Sequence, residues 1–304
     1  MAEGARIAGV ELGGTKCIVV LAIEGRIVAR ETLPTLAPGT TLPAINAILR
    51  SWQEDAPLEA LGIASFGPLQ LNPSRENFGC MLRTPKPGWT GARISDALAH
   101  GLDCGVAIDT DVNAAALAEY RMGAAIGCSA VCYITIGTGV GGGLLLDGRP
   151  VHGAMHPEIG HLRLRRAKGD SFAGTCPFHG DCIEGLVSGP AIAARFETPA
   201  AKVPDDHPHW QYVIHDLAEL VSAIMLTHSA NRILFGGTVS LARQFLLPRI
   251  RARVISHLGE YLPVLDTAGA KEMIRIAELG ADAGPKGTLC LALSALRQLE
   301  MLPE

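Results

Sequence analysis

Two stretches of the sequence share one pattern: an apolar, strand-like run, a short glycine-rich turn and a second apolar run. The first occupies residues 7–22 and turns at Gly13-Gly14-Thr15-Lys16. The second occupies residues 130–146 and turns at glycines 137–143. Apolar runs on both sides of a glycine turn predict a β-hairpin, and a recurring unit predicts a duplicated architecture. We therefore predict an α/β protein whose two halves each open on a hairpin and flank a cleft.

Helix and strand patterns alternate after the first hairpin, as in an α/β domain. Apolar spacing predicts helices at 43–53, 94–100, 112–120, 215–226, 243–257 and 288–299, and strands at 27–32, 60–65, 105–108 and 232–235. We predict a smaller N-terminal α/β domain at 1–120, completed by a C-terminal helix at 288–304. A larger α/β domain is predicted at 121–287, with an irregular excursion at 152–189 that is too long for an idle loop.

The length of 304 residues agrees with two domains, since about 150 residues per domain is typical. The net charge of -4 argues against nucleic-acid and anionic-membrane partners, which require a clustered basic surface. Arg163, Arg165 and Arg166 form the one tight basic cluster, which is interpreted as a solvated face. No apolar run approaches the ~20 residues of a membrane span, and the first residues lack a signal-peptide layout. The expected location is the cytoplasm.

In that reducing compartment most of the eight cysteines are expected to be free thiols. Five lie in apolar runs and are predicted to be core residues: Cys17, Cys104, Cys128, Cys132 and Cys290. No role is assigned to Cys80.

The glycine turns are candidate phosphate sites, because glycine lets backbone N–H groups approach a phosphate closely. Residues 137–142 also match G-x-G-x-x-G. That dinucleotide fingerprint requires a helix after the glycines, whereas residues 144–148 are too short for one and end in a turn. The dinucleotide interpretation is therefore rejected. The first turn likewise lacks the glycine spacing of a Walker motif.

Asp109-Thr110-Asp111 lies where a strand is predicted to end and a helix to begin, the place where α/β sheets present functional side chains. Asp111 has two interpretations. It is an N-cap of the helix, or it is a carboxylate that the helix dipole keeps ionised so that it can accept a proton from a hydroxyl.

Two groups of polar residues lie in the irregular excursion. Glu158, His161 and Glu184 are candidates for binding a polyol through charge-assisted hydrogen bonds. Cys176, His179 and Cys182 occur at every third position, and His161 is a fourth metal-type ligand upstream. Four such ligands close a tetrahedral zinc site, so the metal is expected to be structural.

Taken together, these motifs resemble those of the ROK family of sugar kinases, within the actin-like ATPase (ribonuclease-H-like) superfold. Residues 11–16 are similar to the family's first phosphate motif, 135–143 to its second and 234–239 to its adenosine motif. Residues 156–161 and 176–184 are similar to its sugar-and-zinc signature. The resemblance covers nearly the whole chain. It implies ATP as co-substrate, Mg²⁺, a structural Zn²⁺ and a homodimer.

The resemblance also implies roles for individual residues. Asp111 is the expected catalytic base, and Glu11 is a candidate to orient a metal-bound water on Mg²⁺. The expected ATP-binding residues are Gly13, Gly14, Thr15, Lys16, Gly137, Thr138, Gly139, Pro190, Gly236, Gly237, Thr238 and Val239. The expected sugar-binding residues are Thr110, Asp111, Glu158, His161 and Glu184. The expected zinc ligands are His161, Cys176, His179 and Cys182.

Three departures from the general family pattern narrow the prediction. Glu11 stands where the family usually has Asp, Thr110 where it has Asn, and His179 where it more often has Cys. Together they resemble the bacterial fructokinase branch, which implies ATP-dependent phosphorylation of fructose at its 6-hydroxyl.

Three alternatives stay open. The nearest is a kinase for mannose or glucose. A sugar-responsive regulator is a second, but such proteins carry a helix-turn-helix ahead of the first phosphate motif, and six residues precede Ile7. A sugar-binding protein without catalysis is a third, and the presence of Asp111 argues against it.

Overall fold

The computed structural model describes residues 5–300, with side chains described as far as residue 297. Its strands and α-helices follow one another in the order β1 (Arg6–Leu12), β2 (Lys16–Ile23), β3 (Arg26–Pro34), α1 (Pro38–Asp55), β4 (Ala60–Ser65), α2 (Ile94–Ala99), β5 (Gly105–Thr110), α3 (Asp111–Met122), β6 (Ala130–Ile136), β7 (Val140–Leu146), β8 (Arg149–Pro150), α4 (Ile183–Val187), α5 (Gly189–Phe196), α6 (Trp210–His228), β9 (Arg232–Gly236), α7 (Gly237–Ala242), α8 (Leu246–Leu258), α9 (Thr267–Met273), β10 (Ile274–Ile276) and α10 (Ala283–Glu300).

The strands form two five-stranded sheets with the same arrangement. The first sheet has the order β3-β2-β1-β4-β5, and the second has the order β8-β7-β6-β9-β10. In each sheet the first three strands are antiparallel neighbours, and the last two run parallel to the central strand. The predicted α/β class and its duplication are confirmed.

The chain packs as two compact units. The first comprises the described residues of Met1–Ala118, Val151–His156 and Asp282–Glu304. The second comprises Glu119–Pro150 and Pro157–Ala281. Residues 151–156 thus pack with the first sheet, and the rest of the irregular excursion packs with the second.

Both faces of the first sheet are covered, as expected for a sheet with parallel strands. Side chains alternate between the faces because the strand period is two residues. Val10 and Leu12 lie in an apolar cluster with Ile45 of α1. Ile7 and Val20 lie in a second cluster with residues of α10. The central strand β1 is therefore held from both sides.

The second cluster depends on two glycines that let α10 approach the sheet closely. A Cβ at Gly9 of β1 would overlap the Thr288 side chain, and a Cβ at Gly62 of β4 would overlap the Thr288 backbone carbonyl. Thr288 itself is fully buried. Neither glycine has a positive φ, so close packing is the feature that requires glycine at these positions.

Several helices differ from the predicted bounds. The helices predicted at 43–53 and 288–299 are longer in the structure, since α1 begins at Pro38 and α10 at Ala283. Pro38 and Pro285 lie in first helical turns, where proline is tolerated because the N–H groups there have no intrahelical partner, whereas Pro43 lies inside α1. Helix α7, which begins at Gly237, is not among the predicted helices. Within residues 5–300, no helix combines the length and apolarity needed to cross a bilayer.

Gly62→Ala is expected to destabilise the protein by about 1–3 kcal/mol, because the new methyl group overlaps backbone that cannot rotate away. Urea unfolding measures the change. Gly39→Ala in α1 is the matched control, since a Cβ there meets nothing within 4 Å. Equal stability of the two variants would contradict the close packing of α10 on β4.

Candidate active site

Three strand ends of the first sheet lie in one row. Leu12 at the end of β1 pairs with Ser65 of β4, and Ser65 pairs with Thr110 of β5. The first glycine turn follows Leu12, and Asp111 follows Thr110. Neighbouring strands are about 4.8 Å apart, so the turn and the Asp111 backbone lie about 10 Å apart at the same edge. Functional groups of α/β sheets gather at such carboxyl edges.

The first glycine turn is a tight hairpin connection. Gly13 N donates to Lys16 O at 3.1 Å, and Thr35 Oγ1 donates to Gly13 O at 2.7 Å. Lys86 Nζ donates to Gly14 O at 2.6 Å. A Cβ at Gly14 would contact nothing within 4 Å. The turn therefore has a fixed backbone, open space beside Gly14 and a nearby cation that the sequence did not reveal.

Helix α3 is capped by Thr110. Its Oγ1 accepts from the Asn113 backbone N at 3.2 Å, which is the N-cap geometry. Asp111 is the first helical residue, and its Oδ1 accepts from the Val112 N at 2.9 Å. The N-cap interpretation of Asp111 is therefore wrong. Its carboxylate lies at the positive end of α3, where the helix dipole favours the ionised form.

Asp109 is buried beneath this end of the helix, and its carboxylate accepts several hydrogen bonds. Its Oδ1 accepts from Thr110 N at 2.7 Å and from Asn113 Nδ2 at 2.8 Å. His152 Nε2 lies 3.1 Å from Asp109 Oδ2. This hydrogen bond raises the pKa of His152, in opposition to its burial. Asp109 thus ties residues 151–156 to the end of β5.

Glu11 lies at the same sheet, on β1 next to the glycine turn. Burial raises the pKa of its carboxyl group, while the charges of Lys16 and Arg30 act in the opposite direction. A Cβ at Gly284 would overlap this carboxylate. Glu11 is therefore held against the first turn of α10.

The second sheet repeats the arrangement at its own carboxyl edge. Gly137 N donates to Gly139 O at 2.9 Å, and Gly189 N donates to Gly137 O at 2.7 Å. Thr238 Oγ1 lies 3.7 Å from the Cβ position of Gly137. Gly237 has φ +79°, a conformation that favours glycine. The structure therefore brings together the second glycine turn, the start of α5 and the start of α7.

Several expected ATP-binding residues belong to these segments. Pro190 is the second residue of α5, and Val239 Cγ2 lies 3.8 Å from the Cβ position of Gly189. Thr138 is part of the glycine turn, and Gly236 ends β9. Backbone N–H groups at helix starts and glycine turns are the usual partners of phosphate oxygens.

Two carboxylates interact near this turn. Glu184 on α4 accepts from Val140 N at 3.1 Å through Oε2. Burial, reinforced by the nearby charge of Glu184, raises the pKa of Glu158 to about 7. Glu158 and Glu184, predicted as sugar-binding residues, are therefore neighbours in the second unit.

The four metal-type residues of the excursion form one cluster. His161 Nδ1, on a short 3-10 helix (Ile159–His161), lies 3.8 Å from Cys176 Sγ and 3.6 Å from Cys182 Sγ. His179 Nδ1 lies 3.8 Å from Cys176 Sγ. Burial raises the pKa of the Cys182 thiol to about 11, and the adjacent Cys176 adds to this effect.

The spacing of this cluster fits a metal ion. In a tetrahedral site with metal bonds of about 2.3 Å to sulfur and about 2.1 Å to nitrogen, the S···N edge is about 3.6 Å. The measured S···N distances are 3.6–3.8 Å. The ligand atoms of His161, Cys176, His179 and Cys182 all lie within 4.8 Å of one another. This donor set suits a soft, four-coordinate metal.

None of the eight cysteines, all of which lie within the described residues, forms a disulfide. Cys17, Cys132 and Cys290 are buried as expected, whereas Cys104 and Cys128 are half-buried. Cys80, which had no expected role, is buried in the first unit.

The Glu158 carboxyl group is expected to titrate near pH 7. Carbon-13 NMR of labelled glutamate measures this directly. Glu184→Gln is expected to lower the pKa of Glu158 because it removes the neighbouring negative charge, whereas Glu54→Gln, on the exposed end of α1, leaves it unchanged. A Glu158 carboxyl that titrates near 4.5 in the unaltered protein would contradict the burial of this pair.

Known proteins resemble this chain along most of its length. A fructokinase of Zymomonas mobilis is 36% identical over 94% of this chain and 96% of its own length. A fructokinase of Pediococcus pentosaceus is 34% identical over 96% of this chain and 99% of its own length. The crystal structure of a ROK hexokinase from Thermus thermophilus superposes with a TM-score of 0.75, at 25% identity, over 96% of this chain and 99% of the other.

The fold is that of the actin-like ATPases, as the sequence predicted. The family model for the ROK family matches residues 7–295, which include both glycine turns, the Cys/His cluster and most of α10. The chain therefore belongs to the ROK family.

Proposed function

We propose that the protein transfers the γ-phosphoryl group of ATP to the 6-hydroxyl of fructose, yielding fructose 6-phosphate. The observation that carries the proposal is the shared edge of the first sheet, where the first glycine turn follows β1 and Asp111 follows β5, the two strands on either side of β4. A phosphate site and a carboxylate base at one edge suit phosphoryl transfer. The similarity to proteins named fructokinases, at 34–36% identity, supports fructose as the acceptor.

The glycine turns are the proposed phosphate-binding elements. Backbone N–H groups of Gly13, Gly14 and Thr15 in the first unit, and of Gly137, Thr138 and Gly139 in the second, would bind phosphate oxygens. Lys16, exposed at the start of β2, adds a positive charge. The nucleoside would be bound by Pro190, Gly236, Gly237, Thr238 and Val239. Mg²⁺ neutralises phosphate charge when it is bound, and Glu11 would orient one of its water ligands.

Asp111 is the proposed base. It accepts the proton of the fructose 6-hydroxyl while that oxygen forms a bond to the γ-phosphorus and the bond from phosphorus to the ADP oxygen breaks. Because this transition state is loose, positioning and charge neutralisation supply most of the catalysis. Thr110 caps α3 and so holds Asp111 in the first helical turn, and the buried Asp109 network beneath it fixes the same turn.

The remaining sugar contacts are proposed for Thr110, Glu158, His161 and Glu184. The Nδ1 atom of His161 faces the two thiols, so its Nε2 is the atom proposed to meet a sugar hydroxyl. The metal proposed for His161, Cys176, His179 and Cys182 is Zn²⁺, in a structural role. It would hold the excursion together and fix the His161 ring, as ligands of structural metals commonly are fixed.

By family resemblance, the proposal includes a cytoplasmic homodimer. A kinase of the same mechanism for mannose or glucose is the second candidate. A coupled assay of ATP consumption with fructose, mannose, glucose and N-acetylated hexosamines separates the two, and the highest kcat/KM is expected with fructose. A higher kcat/KM with another hexose would identify that sugar as the substrate and contradict fructose. No ATP consumption with any sugar would favour a non-catalytic regulator.

Asp111→Asn is expected to lower kcat by about 100- to 10,000-fold, the usual contribution of a general base. Fructose binding, measured by calorimetry, should change little, because the amide has the same shape. Asp103→Asn is the control, since Asp103 is an exposed residue ahead of β5. Turnover within tenfold of the unaltered enzyme would show that Asp111 is not the base.

Protein purified without chelators is expected to contain about one zinc per chain, measured by plasma mass spectrometry. Cys182→Ser should lose that zinc and lower the melting temperature, whereas Cys104→Ser, at a half-buried position just before β5, should keep it. A metal content near zero in the unaltered protein, or full zinc in Cys182→Ser, would overturn the four-ligand assignment.

A further inference from the structure

A basic cavity of about 620 Å³ lies in the second unit, bordered by residues 165–168 and by helices α6 and α8. It contains none of the residues proposed above for ATP, sugar or zinc. Its rim carries the exposed cations Arg165, Lys168 and Arg253. The sequence interpretation of Arg163, Arg165 and Arg166 was a solvated face. In the structure, Arg163 and Arg166 form ion pairs, whereas Arg165 lines the cavity.

Two arginines of that run are neutralised by acids. Arg163 pairs with Asp181 at 3.1 Å, and Arg166 pairs with Asp170 at 2.8 Å and with Asp181 at 3.3 Å. Among the side chains that the structure describes, the three rim cations form no ion pair. They line one cavity with a single carboxylate, Glu219, so positive charge is in excess there and the three cations repel one another. A multivalent anion would remove that repulsion.

The floor of the cavity is a half-buried group of His215 and Glu219 from α6 and His257 from α8. Glu219 Oε1 lies 3.2 Å from His257 Nδ1 and 3.9 Å from His215 Nε2. The Glu219 carboxylate therefore lies next to both imidazole rings. Glu219 is half-buried, whereas the three cations of the rim are exposed.

The same group can be compared with a metal site, since its ligand atoms lie within 4.8 Å of one another. Two observations argue against a cation here. His215 Nε2 donates its proton to the Arg165 carbonyl oxygen at 3.0 Å, so this nitrogen has no lone pair available for a metal. Burial lowers the pKa of His257 against the opposing effect of Glu219, and the charges of His215, Arg253 and Arg165 lower it further, so added positive charge is disfavoured here.

We propose that this cavity binds a small molecule carrying phosphate groups. The exposed guanidinium groups of Arg165 and Arg253 match phosphate oxygens in geometry and charge, and Lys168 adds a point charge. Gln211 and Ser256 supply neutral hydrogen-bonding groups at the same cavity. The volume lies within the range of small-molecule sites, about 300–1,000 Å³, so the cavity accommodates a phosphorylated metabolite as well as a free phosphate ion.

Titration with inorganic pyrophosphate, without magnesium, tests this proposal by NMR of labelled histidine rings. The signals of His215 and His257, assigned with His215→Gln and His257→Gln, are expected to shift and saturate. The double variant Arg165→Gln/Arg253→Gln should raise the dissociation constant read from these signals at least about tenfold, because two charged hydrogen bonds are lost.

The control is Lys202→Gln/Lys271→Gln, which removes the same charge from exposed positions elsewhere in the second unit. It should leave the dissociation constant within twofold. The proposal is overturned if the two histidine signals do not move up to 10 mM pyrophosphate, or if both double variants weaken binding equally, since that is the behaviour of diffuse charge. A parallel titration with a sugar phosphate distinguishes a preference for phosphorylated metabolites from one for inorganic phosphates. The readout needs no turnover, so it is independent of the proposed kinase activity.

Discussion

The arrangement of the proposed site depends on the register of parallel strands. Leu12, Ser65 and Thr110 lie in one row across β1, β4 and β5, so the residues that follow two of them, Gly13 and Asp111, emerge at one edge. A shift of β5 by one residue would reverse the direction of every side chain on that strand. Register is maintained by burial on both faces, and on one face by the close approach of α10 at Gly9 and Gly62. The catalytic proposal therefore depends on packing that lies away from the site itself.

The second unit uses the same topology for a different set of groups. Its carboxyl edge carries a glycine turn and the starts of α5 and α7, while the excursion adds Glu158, Glu184 and the Cys/His cluster. No catalytic carboxylate was predicted at the end of β9, where Gly237 begins α7 in a left-handed conformation. A duplicated fold thus presents unlike chemistry at equivalent edges, since the loops after the strands carry the functional side chains.

Local patterns in the sequence predicted many elements of the fold and several residues of the candidate site. Apolar runs on both sides of a glycine turn located both hairpins, and ligands at every third position identified Cys176, His179 and Cys182 as a cluster. Contacts between distant residues had no such signal. Lys86 meets Gly14 across 72 residues, and His152 meets Asp109 across 43. The sequence left open whether Asp111 caps α3, and it did not identify Thr110 as the cap because both residue types cap helices. The raised pKa of Glu158 depends on burial that the sequence does not reveal.

The product of the reaction tests the central claim most directly. The protein is incubated with ATP, Mg²⁺ and fructose, and the sugar product is identified by phosphorus–proton correlation NMR. We expect a single phosphate ester on carbon 6, formed in equal amount to ADP. An ester at another carbon would contradict the placement of the 6-hydroxyl at Asp111, and ADP formation without a sugar ester would contradict sugar phosphorylation altogether.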